Sequence, residues 1–388
     1  MNPDEERRLT EFRATVRRWV AENRVDGLPK DGDVWTRDVG PEMAEWLERL
    51  RRRGWLCLHW PVEYGGAGMG PLELAVLDEE FAVAGVPRPM LGFGEALVGP
   101  AIIAHGTEEQ RRRLLPRIVS RQDVYCQGFS EPDAGSDLAG VRTRGIVDGD
   151  TLSITGQKTW TSEAHGADMC FVLCRTDPEA QKHQGLTFVL VPMTGNNVEV
   201  RPIRQMDGRL DYSEVYFDDS KASIADVIGG LGNGWRVTMT TLGAERSMGY
   251  AFRHFEFLDE FRDVLAVVRE DGRADDPLVR QGMAEAYTLL EVVRFLGRSR
   301  LDRLAEAEPE GPEMIMYKLL WSEAHRRMGE IYMDVVGPRA ALRPAGDDYS
   351  VDTWHDVLFK GQAETIYAGT SEIQRNIIAE RLLGLPRR

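Results

Sequence analysis

Three stretches hold side chains whose types and spacing suit ligand chemistry. The first is Tyr125-Cys126-Gln127-Gly128-Phe129-Ser130-Glu131-Pro132-Asp133-Ala134-Gly135-Ser136-Asp137. A strand-like run, residues 124–129, ends in a turn where Pro132 removes a backbone donor and Gly135 permits a conformation closed to other residues. Small side chains let N–H groups face outward between the Ser130 and Ser136 hydroxyls, a set that can hydrogen-bond a pyrophosphate or the polar edge of a flavin without a metal. A plain turn is the ordinary alternative. The second stretch is Gly156-Gln157-Lys158-Thr159-Trp160-Thr161-Ser162, where Trp160 has the size to lie against a flat ring, with hydroxyls beside it. A hairpin with a core tryptophan is the alternative there. The third is Glu245-Arg246. Thr241, Leu242, Met248 and Gly249 lie three and four residues from Glu245, so no cation is placed for a helix-surface ion pair. Glu245 is therefore an inward-facing carboxylate or a surface residue.

Composition bounds what these stretches serve. At 388 residues the chain is long enough for two or three domains with buried cores. A formal charge of −15 argues against phosphate-backbone binding, which calls for a basic face. Cys57, Cys126, Cys170 and Cys174 are too few and too scattered to staple this fold, and no histidine completes a zinc pattern, so reduced, packed thiols and no metal are expected. The charged start lacks the apolar core of a signal peptide, and no apolar run approaches spanning length. The expectation is a cytoplasmic protein with no membrane span.

Hydrophobic spacing divides the chain into three. Helical periods run over residues 5–23, 41–53, 71–84 and 92–104, and Thr107 with Gln110 forms a capping box opening a helix to about residue 119. His105 before it reads as a packed or capping residue. Short β-branched runs, residues 151–155, 170–174, 186–191 and 214–217, then follow with too few helical intervals for a parallel βαβ sheet. The glycine-rich residues 229–234 lack the spacing of a dinucleotide motif and read as a linker. Long helical patterns cover residues 237–268, 277–305, 313–336 and 364–383. The expected fold is α+β and multi-domain: a helical domain at 1–120, a central antiparallel β-domain at 121–232 and a C-terminal four-helix bundle at 233–388.

Residues 130–137 resemble the Ser/Thr-Glu-Pro-x-Ala-Gly-Ser-Asp motif of the acyl-CoA dehydrogenase family, FAD enzymes that place a double bond between the α and β carbons of a CoA thioester. Residues 54–68 resemble the family's Gly-Trp…Pro-x-x-Tyr-Gly-Gly-x-Gly loop. Residues 156–162 resemble its Gly-x-Lys-x-Trp-Ile-Thr/Ser segment, with Thr161 where an aliphatic residue is usual. The resemblance implies that Trp160 and Ser162 contact the isoalloxazine, that Phe129 and Ser130 add backbone and hydroxyl contacts, and that Ser136 reaches a phosphate or the CoA arm. It implies that Gly369 and Thr370 line the flavin.

The reaction needs a carboxylate in a dry site to take the α-proton and fixed donors for the thioester oxygen. Many members carry the base in a Tyr-Glu-Gly-Thr turn, which reads Tyr367-Ala368-Gly369-Thr370 in this chain. Alanine takes no proton. A second family arrangement sets the base before an arginine on an earlier helix, and the matching pair is Glu245-Arg246. The resemblance thus assigns the base to Glu245, substrate contacts to Arg246, Ser136 and Ala368, and a thioester hydrogen bond to the Ala368 N–H.

Two segments depart from the family. The Arg-x-x-Phe-Gly segment is not recognisable in residues 261–269, and the Gln-x-x-Gly-Gly segment appears as Asp334-Val335-Val336-Gly337-Pro338. Both contribute to a neighbouring subunit's FAD in homo-oligomeric members. The resemblance implies a homo-oligomer or a heteromer with a homologous subunit, and an electron-transfer flavoprotein as acceptor. An acyl-CoA oxidase, an acyl dehydrogenase acting on a carrier protein, and a silent subunit completing a partner's flavin site are the alternatives.

Overall fold

Proline and glycine set the first helices. The computed structural model describes residues 3–28, 34–88, 90–247, 253–306, 312–342 and 351–386. Helices α1 (Pro3–Asn23), α2 (Pro41–Arg53), α3 (Pro71–Ala84), α4 (Gly99–His105) and α5 (Glu108–Val119) form the N-terminal unit. Pro41 and Pro71 open α2 and α3, where a missing N–H costs nothing, and Gly54 and Gly85 end them in left-handed conformation. Thr107 and Gln110 close the expected capping box on α5. The helix expected over 92–104 runs over residues 92–105, with Gly94–Val98 widened into a π-turn just before Pro100, which cannot donate to the ladder. A Cβ on Gly99 would sit 1.9 Å from Trp60, so the helix lies on that indole only as glycine.

Strands β1 (Tyr125–Gly128), β2 (Arg144–Asp148), β3 (Thr151–Ser162), β4 (Met169–Arg175), β5 (Leu186–Pro192), β6 (Val198–Ile203), β7 (Tyr212–Ser223) and β8 (Val227–Ile228) build one sheet. Its order is β6-β7-β3-β2-β4-β5-β8, with β1 beside β4. The expected antiparallel pattern holds for most pairs, but β1 runs parallel to β4 and β2 meets the end of β4 in parallel. The β2–β3 excursion separates β1 from β4 in sequence, and such a crossover is what a parallel neighbour requires. One sheet face carries Phe171, Phe188 and Leu190 into the N-terminal core around Trp46, Trp60 and Phe81, so helices and sheet bury one continuous cluster. The other face packs Cys126, Cys170 and Cys174, all buried free thiols, against Val189 and Val215.

Helices α6 (Gly234–Ser247), α7 (Arg253–Glu270), α8 (Pro277–Ala305), α9 (Pro312–Val336), α10 (Thr353–Glu364) and α11 (Ser371–Ile377) complete the chain. The single helix expected over 237–268 is two, α6 and α7. The helix expected over 364–383 is α11 and a π-turn, and α10 ends where it was to begin. Ala368 and Gly369 both take left-handed φ, 52° and 90°, which a continuous helix does not allow. The helices α7, α8, α9 and α10 share a second core around Phe257, Trp321, Met328 and Tyr332. Among the described residues no helix is long and apolar enough to cross a membrane.

Candidate active site

A buried ion pair shapes the turn after β1. Lys158 is wholly buried on β3, and its ammonium donates to Phe129 O at 2.9 Å, Leu173 O at 2.8 Å and Glu131 Oε1 at 2.8 Å, which uses all three protons. Glu131 also accepts the Arg142 N–H at 2.7 Å and the Thr143 N–H at 2.8 Å. Burial alone would raise the Glu131 carboxyl, but the lysine and these donors hold it below its ordinary value. The resemblance gave this pair no role. Its signal was the alternation Leu152, Ile154, Gly156, Lys158, which sends the lysine inward.

The next residues of β3 are fixed by the same pair. Thr159 N–H donates to Ser130 O at 2.9 Å, and the β3–β7 register slips between Lys158 and Thr161. That bulge re-aims Trp160, whose φ is 57° and whose indole is 60% exposed, touching Tyr212 edge-on at 6.1 Å. The core-tryptophan alternative is therefore excluded. Ser162 stands opposite Tyr212, and Ser130 is half-buried beside Thr159. Phe129 is buried edge-on to Phe171 at 5.5 Å, its carbonyl committed to Lys158. Ser136 sits on the exposed turn next to Asp137, which pairs with Lys182 at 2.5 Å. Gly135 departs from expectation: it does not take a left-handed φ, and an added Cβ would meet nothing within 4 Å. Glu131 and Ala134 tighten the turn instead, with N–H to O contacts of 3.0 Å in both directions.

Trp160 borders a cavity of about 800 Å³ that has a wall from every part of the chain. Trp35 and Phe93, in contact at 4.9 Å, come from the N-terminal unit. Ile203, Met206, Asp207, Asp211 and Tyr212 come from the end of β6, the β6–β7 connection and the start of β7, and Arg253, Trp321 and Glu364 come from the C-terminal helices, with Tyr367 and Ala368 from the turn after α10. Gly369 and Thr370 follow in the same turn, where the Thr370 hydroxyl caps α11 through Ile373 N–H at 3.2 Å. The sequence reading missed Trp35, Phe93, Arg253 and Glu364, whose neighbours here are remote in the chain. Glu245 and Arg246 fall near the end of α6, and their side chains lie outside the described residues.

Beneath the turn lies a second ionic cluster. His325 on α9, fully buried, donates through Nδ1 to Glu364 Oε2 at 2.5 Å and through Nε2 to Glu260 Oε2 at 2.9 Å. Burial would lower this imidazole, but the two carboxylates outweigh burial and push it up to about 10. Glu364 is held below its ordinary value, since His325 and Arg253 overcome the upward effect of burial. Arg253 stacks 3.9 Å above the Trp321 ring, with Nη1 3.4 Å from Glu364.

Models of the acyl-CoA dehydrogenase N-terminal, middle and C-terminal domains match residues 5–122, 126–220 and 232–383. The chain belongs to the acyl-CoA dehydrogenase family. It is 42% identical over 385 residues to the acyl-CoA dehydrogenase IpdE1 of Mycobacterium tuberculosis, covering 98% of both chains. Its fold matches the Tcur3481-Tcur3483 steroid ACAD at TM-score 0.83 and 31% identity, over 100% of this chain and 99% of that one. It matches the ChsE4-ChsE5 complex of Mycobacterium tuberculosis at 0.81 and 29%, with the same coverage. The chain is thus an oxidoreductase of this family, and the family's cofactor is FAD. The donor set at Trp160 fits such a group: an exposed indole for a flat ring, flanked by Ser130 and Ser162 hydroxyls that have no protein partner among the described residues.

Proposed function

We propose that this acyl-CoA dehydrogenase removes the α-proton of a CoA thioester with Glu245 and holds the thioester oxygen on the Ala368 N–H. The carrying observation is the cavity at Ala368. Four described carboxylates border it, Asp207, Asp211, Glu256 and Glu364, and each lies within 3.9 Å of a cationic nitrogen. Each of these carboxylates is thus already engaged by an arginine of the chain. Position 368 itself has none. Helical spacing puts position 245 one turn past Thr241, on the helix face that already buries Thr238 and Thr241.

In the working division at 120 and 232, each domain supplies one wall. Trp160, Ser130 and Ser162 hold the flavin ring, with Phe129 behind it and Gly369 and Thr370 along its edge; Ser136 and Arg246 serve the CoA arm. FAD bound there supplies the acceptor for the β-hydride. The chain's residues exclude water, orient the thioester and move the proton. Replacing Glu245→Gln leaves a yellow, folded protein whose anaerobic bleaching by substrate slows by about 10²- to 10⁴-fold. Full retention of turnover would overturn the assignment.

The aromatic wall of Trp35 and Phe93 and the steroid enzyme among the structural neighbours favour a bulky, ring-bearing acyl group. Screening bleaching across short, long, branched and steroid-like thioesters tests this. For assembly, the departures at residues 261–269 and 334–338, together with two structural neighbours that pair named subunits, favour a homologous second subunit completing the adenine side of the site. Electrons then leave to an electron-transfer flavoprotein in the cytoplasm. Purifying the chain alone separates the readings: a yellow protein bleached by acyl-CoA supports the dehydrogenase, peroxide an oxidase, and a colourless protein dependence on the partner.

A further inference from the structure

The turn that carries Ala368 is strained and clamped at both ends. Ala368 and Gly369 are consecutive left-handed residues, a conformation that disfavours any residue bearing a Cβ and persists only where the surroundings impose it. After the turn, Ser371 N–H donates to Thr365 O at 2.9 Å, and Gln374 Nε2 donates to Ala368 O at 3.4 Å. Before it, everything converges on Glu364, the last residue of α10. Its carbonyl accepts the Lys318 ammonium at 2.7 Å, and its carboxylate takes the His325 N–H at 2.5 Å, with Arg253 and the Tyr367 hydroxyl each at 3.4 Å. The contacts come from α7, α9 and the turn itself, so two neighbouring helices fix the end of α10 from which the turn departs.

We propose that Glu364, locked by His325, is a positioning residue that aims the Ala368 N–H into the cavity. This rests on the proposed function, in which the Ala368 N–H meets the thioester oxygen. Glu364 borders the same cavity four residues before the position where other members hold their base. It does not substitute for that base. Its lone pairs are occupied by cations, so it holds geometry and takes no proton. Ala368 supplies only a backbone donor, and that donor's direction depends on the backbone alone. Among the described residues no acceptor meets the Ala368 N–H, which leaves it free for a ligand oxygen. A donor of this kind is effective only when held in place before the charge develops.

The test uses the flavin-loaded enzyme and a thioester labelled at the carbonyl carbon, read by isotope-edited infrared spectroscopy, alongside kcat, KM and thermal melting. In the wild type the bound carbonyl stretch falls below its value in water. In Glu364→Gln, which keeps size and hydrogen-bonding capacity but loses charge, the stretch returns towards the free value. There kcat drops about 10- to 100-fold while KM stays within about threefold, since a displaced reacting group costs up to about two decades. Glu260→Gln, at the outer end of the cluster, moves the same readouts in the same direction by less, and serves if the first variant does not fold. A wild-type carbonyl frequency in either folded variant, with only the melt lowered, would make the cluster structural and overturn the proposal. An unshifted carbonyl in the wild type would remove the thioester reading itself, and the proposal with it.

Discussion

The two walls of the cavity solve one problem with different charges. On the sheet, Trp160 takes a left-handed φ of 57° two residues after buried Lys158. On the helices, Ala368 takes φ of 52° four residues after buried Glu364. In both places a residue with a Cβ is held in a conformation it disfavours, next to an ion deep in the protein. The sheet uses a closed pair in which Lys158 satisfies Glu131 and two carbonyls. The helices use an open cluster in which His325 bridges Glu260 and Glu364 and Arg253 joins it at Glu364. A buried ion is costly to leave alone, so it locks whatever supplies its partners. Strain at the site and ionic cost beneath it are two sides of one arrangement.

Breaking the closed pair gives the largest effect on stability. Lys158→Met strands Glu131 with backbone donors only and lowers stability by about 3–5 kcal/mol, visible as a fall in the urea midpoint and as lost flavin retention. An unchanged midpoint would mean that the pair anchors nothing.

The two anchors also respond oppositely to alkali. His325 is raised from 6.5 to about 10, so the folded protein holds an extra proton between those values. That stabilisation is complete below pH 6.5 and disappears as pH rises through about 10. Glu260 of α7 and Glu364 of α10 bond it directly; around these two carboxylates stand Glu256 and Arg253 of α7, Lys318 and Tyr332 of α9, Lys360 of α10, and Tyr367. Lys158 is lowered from 10.5, chiefly by burial, with Glu131 opposing and Cys170 and Cys174 nearby. The unfolded chain therefore holds the extra proton below 10.5, and this group adds stability as pH rises through that range. Urea midpoints measured from pH 6 to 10 decline with pH in the wild type and flatten in His325→Gln. An identical slope in the variant would remove His325 as the source.

The smallest change concerns strain itself. Ala368→Gly relieves the left-handed penalty but adds backbone freedom to the unfolded chain, for a net gain of at most about 1 kcal/mol. A clear destabilisation in thermal melts would show that the methyl group packs usefully. Trp160 offers no such exchange, because glycine there would remove the exposed ring that borders the cavity.

Local patterns made much of this legible. The capping box at Thr107 and Gln110, the helix-opening prolines and the alternating strands depend on neighbours a few residues apart, and they appear where their spacing places them. The turn motifs around Ser130 and Trp160 identified a family because their residue types recur in fixed order. What spacing could not show was the break at residues 365–370, since the apolar period runs on through a turn held open by contacts from other helices.

The amino-acid order by itself determined most of the helical and strand segments, the tryptophan and serine motifs of the sheet, and the absence of a carboxylate at 368. These are properties of short segments, set by local sterics, capping and period. Tertiary structure decided that Lys158 meets Glu131 across 27 residues and that His325 meets Glu364 across 39. It also decided that Trp35, Trp160 and Ala368 border one cavity. Such meetings depend on how sheet and helices pack, and a buried charge is stable only once that packing has delivered its partner.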